Sequence, residues 1–347
     1  MRIEEEFKLD FCDVLIRPKR SEIKSRSEID LVRKFKFKNS GNSWQGVPIM
    51  ASNMDTVGTF AMAKSLSKFQ MQTCLHKHYE ISKLVDFFTN ASIQTINHTF
   101  YTLGILENDF LKFNQVYEES NGSIINVCID VANGYSAFFV ERVAKFRQQY
   151  PSLNIMAGNV ATPEMVQELI FNGTDIVKLG IGPGSMCVTR KVAGVGYPQL
   201  SAVMECADAA HGLSGHVCSD GGIQMYGDIA KAKGASSDFV MMGGMFGGCD
   251  ECEGEWIEKE GCKYLKAYGM ASKEAMDKYN IDPTKHRTPE GKQAYIKYKG
   301  PVSEIALDIC GALRSACSYV GATTLKDLSK CTTFIKVNRP HNQIFGE

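Results

Sequence analysis

Eight apolar, β-branched runs recur along the chain, at residues 47–54, 72–78, 99–104, 124–132, 154–160, 175–181, 216–222 and 238–245. Several are almost wholly apolar, as strands covered on both faces must be. Helical stretches lie between them, among them 136–149, 163–172 and 201–211. The start of the second carries its own signal, Thr162 as N-cap and Pro163 in the first helical position. Strand-then-helix units in this number leave two α/β architectures, a large doubly wound sheet or a (β/α)8 TIM barrel. The second is the fold expected here. It predicts one barrel domain over residues 1–347, with an N-terminal segment at 1–45 and a lid or flap insertion at about 247–300. Within the insertion, 255–257 and 263–268 around Glu260-Gly261 read as a β-hairpin, followed by a polar stretch over 278–292. Loops this long are mostly lids or binding loops. Gly300-Pro301 then opens the last helix, 302–319.

A barrel gathers its chemistry at the C-terminal ends of its strands. The distinctive residues fall there: Asn53-Met-Asp55, His76-Lys-His78, the stretch from Asp130 to Tyr135, Gly158-Asn159, Ser219-Asp-Gly-Gly222 and Gly243-Gly244. After the sixth run comes Ile181-Gly-Pro-Gly-Ser-Met-Cys-Val-Thr189, a glycine-rich loop that carries Cys187 two residues before a hydroxyl. A thiol on such a loop is a candidate nucleophile, and the exposed peptide groups are candidate ion ligands. Paired glycines after the seventh and eighth strands offer N–H groups to a phosphate, where barrels often hold one.

Composition narrows the classes. Net charge is zero, which argues against a general binder of nucleic acid or membrane surfaces. No apolar run reaches the ~18 residues of a membrane span. The first seven residues hold three acids and no apolar stretch, so no signal peptide is expected. Twelve cysteines in that setting imply free thiols in a reducing cytosol. Cys249-Asp-Glu-Cys252 with Cys262 lacks the second close pair of a structural zinc site. His76 and His78 share a strand face in this reading, but no spaced third ligand accompanies them. No Gly-x-Gly-x-x-Gly follows a strand, so no Rossmann fingerprint marks a dinucleotide site.

The catalytic-loop sequence 181–189 resembles that of the IMP dehydrogenase and GMP reductase family. Ser219-Asp-Gly-Gly222, Met242-Gly-Gly244, Tyr268-Gly-Met270 and Gly194-Val-Gly-Tyr-Pro-Gln199 are similar to its nucleotide-binding motifs, and the likeness runs over nearly the whole chain. Dehydrogenases usually carry a regulatory insert after strand 2; here His78 passes directly to Tyr79-Glu-Ile-Ser-Lys83. Asp130-Val-Ala-Asn-Gly-Tyr135, His76-Lys-His-Tyr79, Pro289-Glu-Gly-Lys292 and the runs 10–20 and 311–319 look like the reductase branch. The chain departs from the family at 280–288, which lacks a glycine-rich run, at Ile223-Gln-Met-Tyr226, and at Ala271, where serine is common.

The resemblance implies reductive deamination of GMP by NADPH to IMP and ammonia, irreversible and serving purine salvage, through a cysteine thioimidate. It implies Cys187 as nucleophile, with Thr189 and Glu290 as the proton relay. For GMP it implies Ser185, Asp220, Gly221, Gly222, Gly243, Gly244, Gly269, Met270, Ala271, Arg287 and Gly291. Along NADPH it implies Lys77, Asp130, Val131, Ala132, Ile181, Gly182, Met270, His286 and Arg287. Ser25, Arg26, Ser315, Ala316, Cys317 and Ser318 would join them from a neighbouring subunit of a homotetramer. It further implies a potassium ion at Gly182, Gly184, Cys187 and Arg190. Three other readings stay open: an insert-free IMP dehydrogenase, a Schiff-base lyase using Lys178, and a silent nucleotide binder.

Overall fold

The computed structural model describes residues 3–279, 288–338 and 340. All eight apolar runs are strands: β1 Ile49–Ala51, β2 Gln72–Cys74, β3 Thr99–Leu103, β4 Asn126–Asp130, β5 Asn154–Val160, β6 Ile176–Leu179, β7 His216–Asp220 and β8 Phe239–Met242. They pair parallel in chain order and close through β8 and β1, with Val240 opposite Ile49. The chain is therefore a (β/α)8 barrel. Two apolar layers hold it. The outer one lies between strands and helices, with Val177, Leu179, Val203 and Val217 among its buried members. The inner one fills the barrel with side chains from every strand: Met50, Cys74, Phe100, Cys128, Met156, Ile176, Cys218, Phe239 and Met241.

A hairpin of Arg33–Lys36 and Ser43–Gly46 seals the N-terminal end of the barrel. Phe35, Phe37 and Trp44 reach from it into the inner layer, and the Phe35 and Phe239 rings lie 4.5 Å apart. The apolar alternation of this hairpin sits inside the segment read from sequence only as an N-terminal extension. With that end plugged by large rings, the opposite rim is the one open to ligands.

The helices match their signals to within one or two residues. Ala137–Gln149 starts at a Ser136 cap that accepts from Phe139 N–H, and Pro163–Phe171 has proline in its first turn. Thr162 makes no side-chain cap, contrary to expectation; its hydroxyl accepts a hydrogen bond from Tyr135 at 3.3 Å. The helix expected over 201–211 is Gln199–Gly212, and the last one is Val302–Val320. No helix among the described residues is long and apolar enough to cross a membrane.

The insertion after β8 is a flap of three antiparallel strands, β9 Trp256–Lys259, β10 Cys262–Tyr268 and β11 Gln293–Lys297. The hairpin of β9 and β10 turns at Glu260 and Gly261, both at positive φ. β11 was not expected. It is partly exposed and alternates weakly, so its pattern reads as polar loop.

Candidate active site

The loop after β6 leaves the barrel at Gly180 and carries Cys187 up to a short helix, Thr189–Val192. The Cys187 thiol lies 3.1 Å from the Thr189 hydroxyl, which donates to Glu290 Oε2 at 2.6 Å. Glu290 reaches the loop because the flap is already docked on it. Val188 N–H donates to Glu290 O at 2.8 Å, and Lys292 N–H to Met186 O at 2.9 Å. Gly269 and Gly291 make the docking possible. A Cβ on Gly291 would lie 2.7 Å from Ser272 N, and one on Gly269 3.0 Å from Met186 O. The loop is also braced from below: Arg190 makes two hydrogen bonds to Asp10, at 2.8 and 3.3 Å, and one to Tyr197 O at 2.7 Å.

The glycine pairs after β7 and β8 meet this loop. Gly221 and Gly222 adopt φ of +87° and +79°, conformations that favour glycine. A Cβ on Gly221 would lie 3.2 Å from Gly184 N, and one on Gly244 3.7 Å from Ser185 Oγ. Three strand ends thus form one small cup of peptide groups, with Ser185 at its side. Lys299 was not expected there. Its ammonium donates to the carbonyls of Gly244 and Met245 at 2.9 and 3.0 Å and brings a cation to the rim. Only its place just before Gly300-Pro301 hinted at it.

Lys178 points up the barrel axis and is 3% exposed. Its ammonium lies 2.7 Å from Asp130 at the end of β4 and 2.7 Å from Asp220 at the end of β7. Asn159 adds a hydrogen bond to the same Asp220 oxygen at 3.0 Å. Both of these donors meet Asp220 Oδ2, and among the described residues no donor reaches its Oδ1. Burial alone would raise the Asp130 carboxyl, but the Lys178 charge outweighs it and holds it below the usual range. Burial likewise disfavours charged Lys178, yet its two carboxylates hold the amine well above its ordinary value. A protonated, doubly paired lysine has no lone pair to attack a carbonyl, so the lyase reading loses its nucleophile.

The remaining expected residues fall into two groups. Asp130 ends β4, and Lys77, Val131, Ala132, Ile181 and Gly182 follow β2, β4 and β6 on the open rim; Met270 and Ala271 lie in the flap. His286 and Arg287 lie outside the described residues. The short turn Arg26–Glu28, capped by Ser25, instead packs on helix Val302–Val320, which carries Ser315 to Ser318. That helix begins at the flap root and runs toward the plugged end, so Ser315 lies ~20 Å from its start. One chain does not bring these residues to its own Cys187. Cys317 is fully buried in the outer layer.

His76 and His78 do not share a strand face, because β2 ends at Cys74 and both lie in the loop that follows, His78 in its turn. His76 Nδ1 accepts the His78 N–H at 3.2 Å. Burial pushes His76 down to about 3 and His78 down to about 4. Both folded values lie below the unfolded one, so the unfolded chain binds more protons. Stability is therefore full above about pH 6.5 and is lost as pH falls toward 4. The melting temperature should drop between pH 7 and pH 5, and His76→Gln should flatten that drop. An equally steep drop in the variant would sink the assignment.

The family model for the IMP dehydrogenase / GMP reductase domain matches residues 8–342. A barrel with a cysteine loop, a glycine cup and a docked flap is what that class contains here, and the chain belongs to the IMP dehydrogenase / GMP reductase family. Proteins named GMP reductase from Escherichia coli K12, Salmonella typhi and Klebsiella pneumoniae are each 54% identical to it over 346 residues. Each alignment covers 100% of this chain and 99% of the relative.

Proposed function

We propose that this protein reduces GMP with NADPH, GMP + NADPH + 2 H⁺ giving IMP + NH₄⁺ + NADP⁺. The observation that carries the proposal is the unbroken contact from the Cys187 thiol through Thr189 to Glu290. C2 of guanine bears an amine and is a poor hydride acceptor, so a nucleophile must first displace that amine. Cys187 Sγ forms a bond to C2 while its proton passes to the Thr189 hydroxyl and the hydroxyl proton passes to Glu290 Oε2. The relay then runs backward and protonates the amine. The C2–N bond breaks, ammonia leaves, and a thioimidate on Cys187 remains. NADPH, when bound, would supply the hydride for C2, and Cys187 would be released from the thioimidate as its thiolate. The cup of Gly222, Gly243, Gly244 and Ser185 suits the nucleotide phosphate, and Asp220 Oδ1 suits the ribose hydroxyls.

The rim residues suit the cofactor. Lys77 is an exposed cation, and Asp130 is held ionised beside it. Arg26 suits a 2′-phosphate reached from a neighbouring copy. The loop also suits a potassium ion. Among the described residues no donor reaches the carbonyls of Gly182 and Cys187, while Gly184 O accepts only the Cys187 N–H. Those carbonyls with that of Arg190 would hold the ion and stiffen the loop.

Glu290→Gln removes the proton acceptor and keeps the shape. It should lower kcat by about 10²-fold or more, with a smaller change in KM for GMP. The measurement is GMP-dependent NADPH oxidation, with ammonia and IMP assayed as products. If the wild-type protein leaves NADPH untouched but converts IMP and NAD⁺ to XMP, the assigned direction is wrong.

A further inference from the structure

Three side chains of the flap converge on one carboxylate of the barrel rim. Asp55 lies in the loop after β1, and its side chain is 1% exposed. Its Oδ2 accepts hydrogen bonds from Tyr268 at 2.6 Å, Tyr279 at 2.6 Å and Lys278 at 2.9 Å. Lys278 also donates to the Tyr268 hydroxyl at 2.9 Å. All three donors belong to the flap, and among the described residues Asp55 has no other side-chain donor. The Tyr279 ring lies flat on His78, with centroids 3.4 Å apart and planes 11° from parallel. The loops after β1 and β2 therefore grip the flap segment 268–279 from the barrel side.

That segment leads directly to Glu290. Gly269 N–H donates to Lys292 O at 3.1 Å, and Glu290 N–H donates to Ala271 O at 2.9 Å. The backbone between Tyr268 and Ser272 is thus the surface on which Glu290 is seated. Ser272 is fully buried and caps the helix Lys273–Lys278, which ties this backbone to the helix that carries Lys278. A displacement at Asp55 reaches Glu290 through four peptide units and two hydrogen bonds.

We propose that Asp55 is a positioning residue: by holding Tyr268, Lys278 and Tyr279, with His78 stacked on Tyr279, it seats the flap so that Glu290 meets Thr189. The kinetic part rests on the relay role assigned to Glu290 above. The gripping itself does not. A buried carboxylate without its donors is costly, so the flap docks where all three hydrogen bonds form together. The same grip gives a purpose to the residues after β1 and β2 that touch neither the cysteine loop nor the glycine cup.

Hydrogen exchange read by mass spectrometry on the full chain separates the two parts. Asp55→Asn removes the charge from the barrel side, and Tyr279→Phe removes one donor from the flap side. In both, exchange in β10 and in 269–279 should rise about tenfold, while β3 and β5 stay at the wild-type rate. In Asp55→Asn, kcat should fall about tenfold and KM for GMP should change by less than that, because the phosphate cup belongs to the barrel while only the base contacts ride on the flap. Unchanged flap exchange in both variants overturns the proposal. So does a rise in β3 and β5 that matches the flap, which would make Asp55 a general stabilising residue. The exchange needs no substrate, so it decides the grip even if GMP proves not to be turned over.

Discussion

Cys187→Ala loses GMP-dependent NADPH oxidation by at least about 10⁴-fold, the scale on which nucleophile deletions act. The substitution removes one sulfur from a half-buried loop position that takes no part in either apolar layer, so the fold survives it. Activity alone does not identify a covalent step, and a second readout does. Wild-type protein mixed with GMP and quenched in acid should carry an adduct on Cys187 with the mass of GMP less ammonia. Cys187→Ala should carry none. Glu290→Gln should accumulate less adduct, because the relay serves its formation as well as the departure of the amine. Activity within tenfold of wild type in Cys187→Ala would remove the thioimidate and leave the fold as the only part standing.

Lys178→Met takes the cation from between two carboxylates. Breaking a buried pair from one side costs about 3–5 kcal/mol, so the melting temperature should fall by several degrees. The more telling change is in the pH profile. In the native protein burial pushes the Asp130 carboxyl up, and the Lys178 charge more than offsets it. Without that charge only Lys77 and Asn53 remain to offset burial, and Asp130 takes up its proton at higher pH. If ionised Asp130 serves the cofactor, the acid limb of kcat/KM for NADPH moves upward by about one pH unit or more. Lys178→Arg should keep the limb near its native place while losing fit. An unmoved acid limb in Lys178→Met would show that Asp130 is not needed ionised.

The sequence made the barrel and the cysteine loop visible for a physical reason. Strands covered on both faces are written as apolar runs, and loops that approach a ligand closely are written as glycine. Both signals are local. What stayed hidden depends on distant partners. Asp55 reads as one polar residue after a strand until three flap donors more than 200 positions away arrive at its oxygen. Lys178 reads as a reactive amine until Asp130 and Asp220 are seen on either side of it. The plug hairpin was missed because its strands, of four residues each, are too short to establish a period. Ser25, Arg26 and the residues 315–318 came from family likeness alone, and no local pattern distinguishes them.

The brace between Asp10 and Arg190 carries a lesson for handling the protein. Residues 8–10 lie along helix Gln199–Gly212: Lys8 pairs with Glu205, Leu9 exchanges hydrogen bonds with Ser201, and Asp10 takes the Gln199 N–H. Just beyond, Val14–Ile16 pairs antiparallel with Phe334–Lys336, so both outgoing arms leave the ladder at the same end. Tension applied through those arms opens such a ladder one rung at a time, as a zipper, rather than shearing all rungs at once. The segment peeled away beside it is the one that steadies the cysteine loop. A trimming that reaches Asp10 would therefore silence the chemistry while every strand of the barrel remained in place.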